Sequence, residues 1–291
     1  MPRILIAGCG YVGQATADLF HAAGWDVKGW TASKESAAAL SDKPYSVCQV
    51  DISKSGQVEE QAGTFEAVVH CASSRGGGVE SYQQIYLNAA RNLLDRFAGA
   101  RLLFTGSTSV YGQKDGSWVT EQSETKPDRE TGRVLLETEK LVLAGGGMVI
   151  RLAGIYGPRR SALLTKFLDG TAFIDPENDR FVNQAHRDDI ASAIFLLLTR
   201  QTQPAQIYNV VDDEPMLQSE CYRWLARRLG RPAPPIGKSI RPHKRGDSNK
   251  RVSNTKLRSL GWTLRYPTFA EGMETSVLSS FQSVLPNKSD S

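Results

Sequence analysis

The residues Arg3-Ile4-Leu5-Ile6-Ala7 form a strand-length, largely apolar run that passes directly into Gly8-Cys9-Gly10-Tyr11-Val12-Gly13. Beyond the glycines, Val12, Ala15, Leu19, Phe20 and Ala23 recur at helical spacing from Tyr11 to Ala23, with the small Thr16 on the same side. One face of such a helix can lie on a sheet. A glycine pattern alone says little, but a strand before it and a helix after it supply the context that its chemistry requires. Gly8 permits the tight turn, Gly10 lets the backbone approach a pyrophosphate, and Gly13 lets the helix lie close to the sheet. The first amides of that helix, at Tyr11 and Val12, then face the phosphates. The sequence therefore opens as a dinucleotide-binding unit.

Strand-length apolar runs recur at 26–30, 46–50, 67–71, 101–105 and 148–152, and helix-length amphipathic stretches at 81–97, 130–144 and 188–199 fill several of the gaps. Such alternation predicts a parallel sheet covered on both faces: an α/β, Rossmann-type, doubly wound fold whose ligand sits beyond the carboxyl ends of the strands. A further strand is expected at 207–211. The remaining segments are less regular and carry Pro232, Pro234, Pro235 and Pro242, which suggests a smaller lobe. On this reading residues 1–156 and 181–211 form the nucleotide domain, and 157–180 with 212–291 form a basic, C-terminal substrate lobe.

Composition narrows the class. With 291 residues, 40% hydrophobic and 23% charged, the chain can bury a sizeable core as an ordinary soluble protein; only the tail from Pro286 to Ser291 looks disordered. The longest apolar run lies near Ala193–Leu198, well short of the ~18 residues that span a bilayer, so no membrane role is expected. Leu5-Ile6-Ala7-Gly8-Cys9 mimics a lipoprotein cleavage box but lacks the apolar core before it. Cys9, Cys48, Cys71 and Cys221 lack metal spacing, and reduced cytoplasmic thiols are the expectation. Neither do His21, His70, His186 and His243 show ligand spacing, so no metal is assigned.

The net charge of +4 is unevenly spread. Arg223, Arg227, Arg228, Arg231, Lys238, Arg241, Lys244, Arg245, Lys250, Arg251, Lys256, Arg258 and Arg265 face only Asp247 within their stretch. A basic lobe of this kind attracts phosphorylated small molecules, acidic proteins or nucleic acid. Without a nucleic-acid-binding motif beside it, nucleic acid is not the expected partner.

An acid at the end of the second strand ordinarily binds the ribose 2′-hydroxyl and repels a 2′-phosphate. Here the sequence is Trp30-Thr31-Ala32-Ser33-Lys34, with no carboxylate and with Thr31, Ser33 and Lys34 able to donate hydrogen bonds or positive charge. NADP is favoured, with NAD as the alternative.

Taken together, these residues resemble the short-chain dehydrogenase/reductase superfamily, in particular its extended branch of NAD-dependent epimerases and dehydratases. The resemblance runs nearly end to end and continues through Arg151-Leu152-Ala153-Gly154-Ile155-Tyr156-Gly157-Pro158, Arg187-Asp188-Asp189, Ile207-Tyr208-Asn209-Val210 and Leu260-Gly261-Trp262. The glycine spacing and Lys250-Arg251-Val252-Ser253-Asn254 are most similar to atypical, YeeZ-like members. It implies that Asp51-Ile52 lie by the adenine, that Ala72-Ser73 and Asn88 border the cofactor, and that Ser107 is the family's catalytic serine.

The family's catalytic tyrosine, and the lysine four residues after it, are absent. Aligned on the 132–143 helix, Thr131 takes the tyrosine position and Leu135 the lysine position, and no tyrosine in the chain has a lysine at the fourth place after it. Tyrosine supplies a proton and lysine lowers its pKa; Thr131 and Leu135 do neither. Tyr111 in Ser107-Thr108-Ser109-Val110-Tyr111-Gly112 resembles a residue beside the family's substrate and is the candidate substitute acid, with packing as its alternative role. Two functions stay open. One is an NAD(P)-dependent oxidoreductase or epimerase acting on a small polar substrate, nucleotide-linked or phosphorylated; the other is a non-catalytic NAD(P) sensor or scaffold. A homodimer is compatible with either.

Overall fold

The computed structural model describes residues 1–74, 76–200, 206–238 and 248–281. Seven strands build one parallel sheet: β1 (Arg3–Ala7), β2 (Asp26–Thr31), β3 (Ser46–Gln49), β4 (Ala67–His70), β5 (Arg101–Ser107), β6 (Met148–Leu152) and β7 (Ile207–Val210). Their spatial order is β7-β6-β5-β4-β1-β2-β3. β1 thus has β2 on one side, with Ala7 beside Trp30, and β4 on the other, with Ala7 beside His70. The chain reverses its direction of travel across the sheet at β1, the place where such sheets open a ligand crevice. Ile4, Leu5, Ile6 and Ala7 are wholly buried, as expected of a strand covered on both faces.

Helices Tyr11–Ala22, Glu130–Ala144 and Arg187–Thr199 fall where the periodicity places them. The helix expected at 81–97 begins at Val79 and runs to Arg96, and its middle, Gln83–Asn88, widens into π geometry that apolar spacing does not reveal. β5 runs two residues beyond the expected end at Thr105, which carries the pairing to Ser107 beside Leu152.

A second, smaller core gathers Tyr156, Leu164, Phe167, Tyr222, Phe269 and Met273. Not all of the C-terminal sequence joins it. Val252, Leu257 and Trp262 pack into the larger core, and Trp262 Nε1 donates to Ser192 Oγ on the Arg187–Thr199 helix at 3.0 Å. The same helix holds the returning chain through Asp189, whose carboxylate accepts from the backbone N–H groups of Arg265 and Tyr266 at 2.7 and 3.1 Å. The tail from Pro286 lies outside the described residues.

Candidate functional site

At the carboxyl end of β1 the amides of Gly8 and Cys9 both donate to Trp30 O, at 3.1 and 2.8 Å, which pins the loop to β2. Gly8 has φ +109°, and a Cβ there would stand 2.3 Å from Ala72 N. At Gly13 a Cβ would meet Gly8 O at 2.2 Å. These two glycines are required by the fold itself. Gly10 differs: its φ is ordinary and the nearest atom to an added Cβ is 4.0 Å away, so only open space lies in front of it. The protein leaves that space clear where the first amides of the Tyr11–Ala22 helix lack intrahelical acceptors, and the first turn of that helix contains no acid. A cradle with these properties fits the pyrophosphate of a dinucleotide.

Along the rim of the cradle, Thr31 Oγ1 donates to Ser33 O at 3.2 Å and Ser33 Oγ caps the short Lys34–Ala38 helix by accepting from Ser36 N. Both hydroxyls are therefore occupied locally, while Lys34 and the acid that follows it, Glu35, are both exposed. Val50 N donates to Thr31 O, which brings the next residue, Asp51, to this rim; its Oδ1 is engaged by the N–H and hydroxyl of Ser53. Ile52 is buried and its carbonyl accepts from Asn92 Nδ2. Ala72 and Ser73 follow β4, with the Ala72 backbone closing on Gly8. Asn88 ends the π segment, half-buried, with Oδ1 accepting from Arg91.

Ser107 ends β5 half-buried. Its Oγ accepts from Ser109 N at 3.1 Å, which fixes the oxygen and leaves the O–H to donate. Tyr111 is placed otherwise than its proposed acid role requires. It is 1% exposed, its hydroxyl donates to Asn209 Oδ1 at 2.9 Å and accepts from Arg151 Nη1 at 2.8 Å, and Arg151 is in turn gripped by Glu139. Burial raises the phenol's pKa, against the lowering influence of Arg151. Such a hydroxyl has both hydrogen-bonding roles filled inside the protein, and the geometry favours a packing role. Leu135 is buried at 4%, pointing into the core, and Thr131 is half-buried at the start of its helix.

Two contributors were not singled out from sequence. The guanidinium groups of Arg160 and Arg187 each stand 5.1 Å from the centre of the Tyr11 ring, while the Tyr11 hydroxyl donates to Pro158 O at 2.9 Å. Gly157, at φ +147°, makes this approach possible, because a Cβ there would lie 2.7 Å from that hydroxyl. The doubled Arg159-Arg160 after Gly157-Pro158 was the available signal. Two cations thus flank Tyr11, the first residue of the helix that follows the glycine turn, with Arg187 also bonded to Asp188 at 2.8 Å.

Acids from elsewhere temper the basic lobe: Arg228 pairs with Glu274, Arg258 with Asp213 and Lys238 with Glu177. Arg241, Lys244, Arg245, His243 and Asp247 lie outside the described residues. His70 and His186 are buried, and burial pulls each down to a pKa of about 4. His186 caps its helix by accepting from Asp188 N and meets Ser276 Oγ at 2.9 Å, a structural arrangement. Among the described residues no helix is long and apolar enough to cross a membrane, and no cluster of His, Cys, Asp or Glu suits a metal.

A sequence model for the NAD dependent epimerase/dehydratase family matches residues 4–210. The chain belongs to that family. Protein YeeZ of Escherichia coli (strain K12) is 28% identical over 284 residues, 92% of this chain and 97% of that one. A Methylobacillus flagellatus protein provisionally named an NAD-dependent epimerase/dehydratase superposes with a TM-score of 0.77 at 27% identity, covering 97% of this chain and 99% of its own. The dTDP-glucose 4,6-dehydratase of Bacillus anthracis, solved in complex with NAD, has a TM-score of 0.79 at 17% identity, covering 97% of each chain, a likeness of fold. No tyrosine of this chain has a lysine at the fourth place after it.

Proposed function

We propose that the protein is an NAD(P)-dependent oxidoreductase or epimerase acting on a small polar substrate, nucleotide-linked or phosphorylated, held between the carboxyl edge of the sheet and the C-terminal lobe. The observation that carries this reading is the open space before Gly10, at the start of the Tyr11–Ala22 helix, where the fold would accept a side chain and a pyrophosphate would need its absence. Gly10, with the amides of Tyr11, Val12 and Gly13, would hold the pyrophosphate. Asp51, Ile52, Ala72, Ser73 and Asn88 would border the rest of the cofactor, and Arg160 and Arg187 would add positive charge beside Tyr11. The NADP preference rests on Lys34, exposed just past the end of β2 beside the equally exposed Glu35; Thr31 and Ser33 shape that corner through their own local bonds. When bound, the dinucleotide supplies a hydride donor or acceptor.

The chain's own part in the chemistry falls to Ser107. Its oxygen is anchored by Ser109 N, so its hydroxyl donates towards a substrate carbonyl and polarises it. Tyr111 positions this turn from beneath, and the proton is exchanged with water or through Ser107. Water in this role is a weaker acid than a lysine-assisted tyrosine, so slow turnover is expected. The second reading, a non-catalytic NAD(P) sensor or scaffold, is favoured by the burial of Leu135, which closes the family's lysine site.

The test is a calorimetric titration with NADPH and NADH, followed by an absorbance screen of carbonyl compounds and sugar nucleotides. Tighter NADPH binding that weakens in Lys34→Ala, with turnover on one substrate class, is the expected outcome. Binding of neither dinucleotide would end the reading, whereas binding without turnover across the panel would favour the sensor.

A further inference from the structure

Lys250 is only 5% exposed, yet it carries an ammonium group. Nζ donates to Tyr111 O at 2.9 Å and to Ser248 Oγ at 3.1 Å. An ammonium has three donors, so one is left over. Among the described residues no carboxylate pairs with it: Asp128, the acid that attracts it, is bonded to Lys114 at 3.0 Å. Arg180 adds like charge, and burial together with Arg180 brings the lysine's pKa down to about 8. A buried cation that has no counter-ion among the described residues is unfavourable unless something completes it.

The surroundings hold this ammonium rigidly. Asn183 Nδ2 donates to Lys250 O and Asn183 Oδ1 accepts from Val252 N. Asn249 N donates to Gln113 O, and Arg251–Val252 runs parallel to Trp118–Val119. Tyr111, whose carbonyl Lys250 holds, closes the Thr108–Val110 turn that begins at Ser107. The ammonium is therefore bonded to the same loop that presents the candidate catalytic serine.

We propose that Lys250 is the anchor for an oxyanion of the substrate, a carboxylate or a phosphate carried by the molecule whose carbonyl faces Ser107. The assignment rests on reading this edge of the sheet as the substrate cleft and adds to it the charge of the substrate. The unused N–H of Lys250 and a substrate oxygen form a charge-assisted hydrogen bond, and the substrate supplies the missing counter-charge.

The test titrates inorganic phosphate and malonate into the protein, with and without NADPH, and reads affinity from thermal shift. One anion is expected to bind saturably: phosphate identifies a phosphate ester as the source, malonate a carboxylate. Lys250→Met should weaken that anion roughly tenfold to a hundredfold, Lys250→Arg should retain it, and NADPH affinity should change in neither. Equal anion affinity in wild type and Lys250→Met overturns the proposal, as does saturable binding of neither anion. Loss of NADPH binding alone, with Lys250-dependent anion binding intact, would count against the dinucleotide reading and support this one. Should Lys250→Met fail to fold, wild-type crystals soaked in the same anions decide: density within hydrogen-bond reach of Nζ supports the anchor, and density only elsewhere overturns it.

Discussion

Arg151 donates to the Tyr111 hydroxyl at 2.8 Å, in a row that crosses the sheet from Gly106 through Arg151 to Asn209. Gly106 leaves room for Glu139, whose carboxylate would be 3.3 Å from any Cβ added there and which holds the other side of Arg151. Tyr111→Phe therefore removes the acceptor of a buried guanidinium and the donor to Asn209. The expected loss is about 1 to 3 kcal/mol of stability, read by urea denaturation, with turnover per folded molecule changed less than about tenfold. A fall of about 10² in kcat at unchanged stability would restore Tyr111 as the proton donor.

The glycines of the first turn should separate in their effects. Gly10→Val has an ordinary φ and open space before it, so the chain should fold with a nearly unchanged Tm while NADPH affinity drops at least about tenfold, as a side chain fills the pyrophosphate's place. Gly8→Ala combines φ +109° with a backbone atom 2.3 Å from the new Cβ and should lower stability by about 1 to 3 kcal/mol or more. Melting curves and fluorescence titration check both. A Gly10→Val protein that binds NADPH normally would show that the ligand lies elsewhere.

How far the sequence reaches depends on where each feature gets its partners. The strand, glycine turn and helix at the N-terminus are legible because the order strand, glycine turn, helix lies within Arg3–Ala22, although Gly8 also meets the Ala72 backbone and the loop is pinned to Trp30. Apolar runs also point to all seven sheet strands, most clearly to the central ones such as β1, β4 and β6, which are almost wholly buried; β3, at the edge, has no fully buried residue. The framing of Tyr11 by Arg160 and Arg187 is not legible, because it joins residues far apart through the Gly157 turn. The direction in which Tyr111 points is equally hidden: a motif places it after Ser107, but the groups that claim its hydroxyl come from β6 and β7. Lys250 reads as one more surface charge in a basic stretch, and only the packing of its backbone against Asn183 and Gln113 buries it.

Asp212 gives a pH signature. It is 3% exposed, its Oδ1 has no hydrogen-bond partner among the described residues, and burial, aided by Asp213, holds its pKa well above 3.8. In the unfolded chain it ionises at its ordinary value, so from about 3.8 up to its raised folded pKa the native state binds the extra proton. The stability it contributes is complete below that window and is lost as pH rises across it. Asp212→Asn keeps the shape without the titration, so its stability advantage over wild type should widen with rising pH and then level off. His70 and His186, lowered from 6.5 to about 4, act in the opposite sense in both proteins and cancel in the difference. Chemical denaturation of both proteins across the pH range checks this, and a gap that is constant or narrows with pH would contradict it.

The last prediction concerns where the chemistry resides. Thr131 sits half-buried at the start of the Glu130–Ala144 helix, and Leu135, the residue we propose at the family's lysine position, is buried in the core. Neither can lower the pKa of a donor, so the helix should be dispensable for proton transfer. Ser107 differs, since its oxygen is fixed by Ser109 N and its hydroxyl is free to donate to a carbonyl. Once a substrate is found, Ser107→Ala should lower kcat by about 10² or more, the loss typical of removing a donor to developing negative charge, while KM for NADPH stays put. Thr131→Val should leave kcat within about threefold, because a methyl replaces a hydroxyl that lacks an activating lysine. Leu135→Lys, which puts a lysine at the proposed family position, should not raise turnover but should cost stability, because its charge would be buried in an apolar site. Steady-state kinetics beside melting curves distinguishes these outcomes. A Thr131→Val enzyme that loses activity while Ser107→Ala keeps it would move the reacting centre back to the helix.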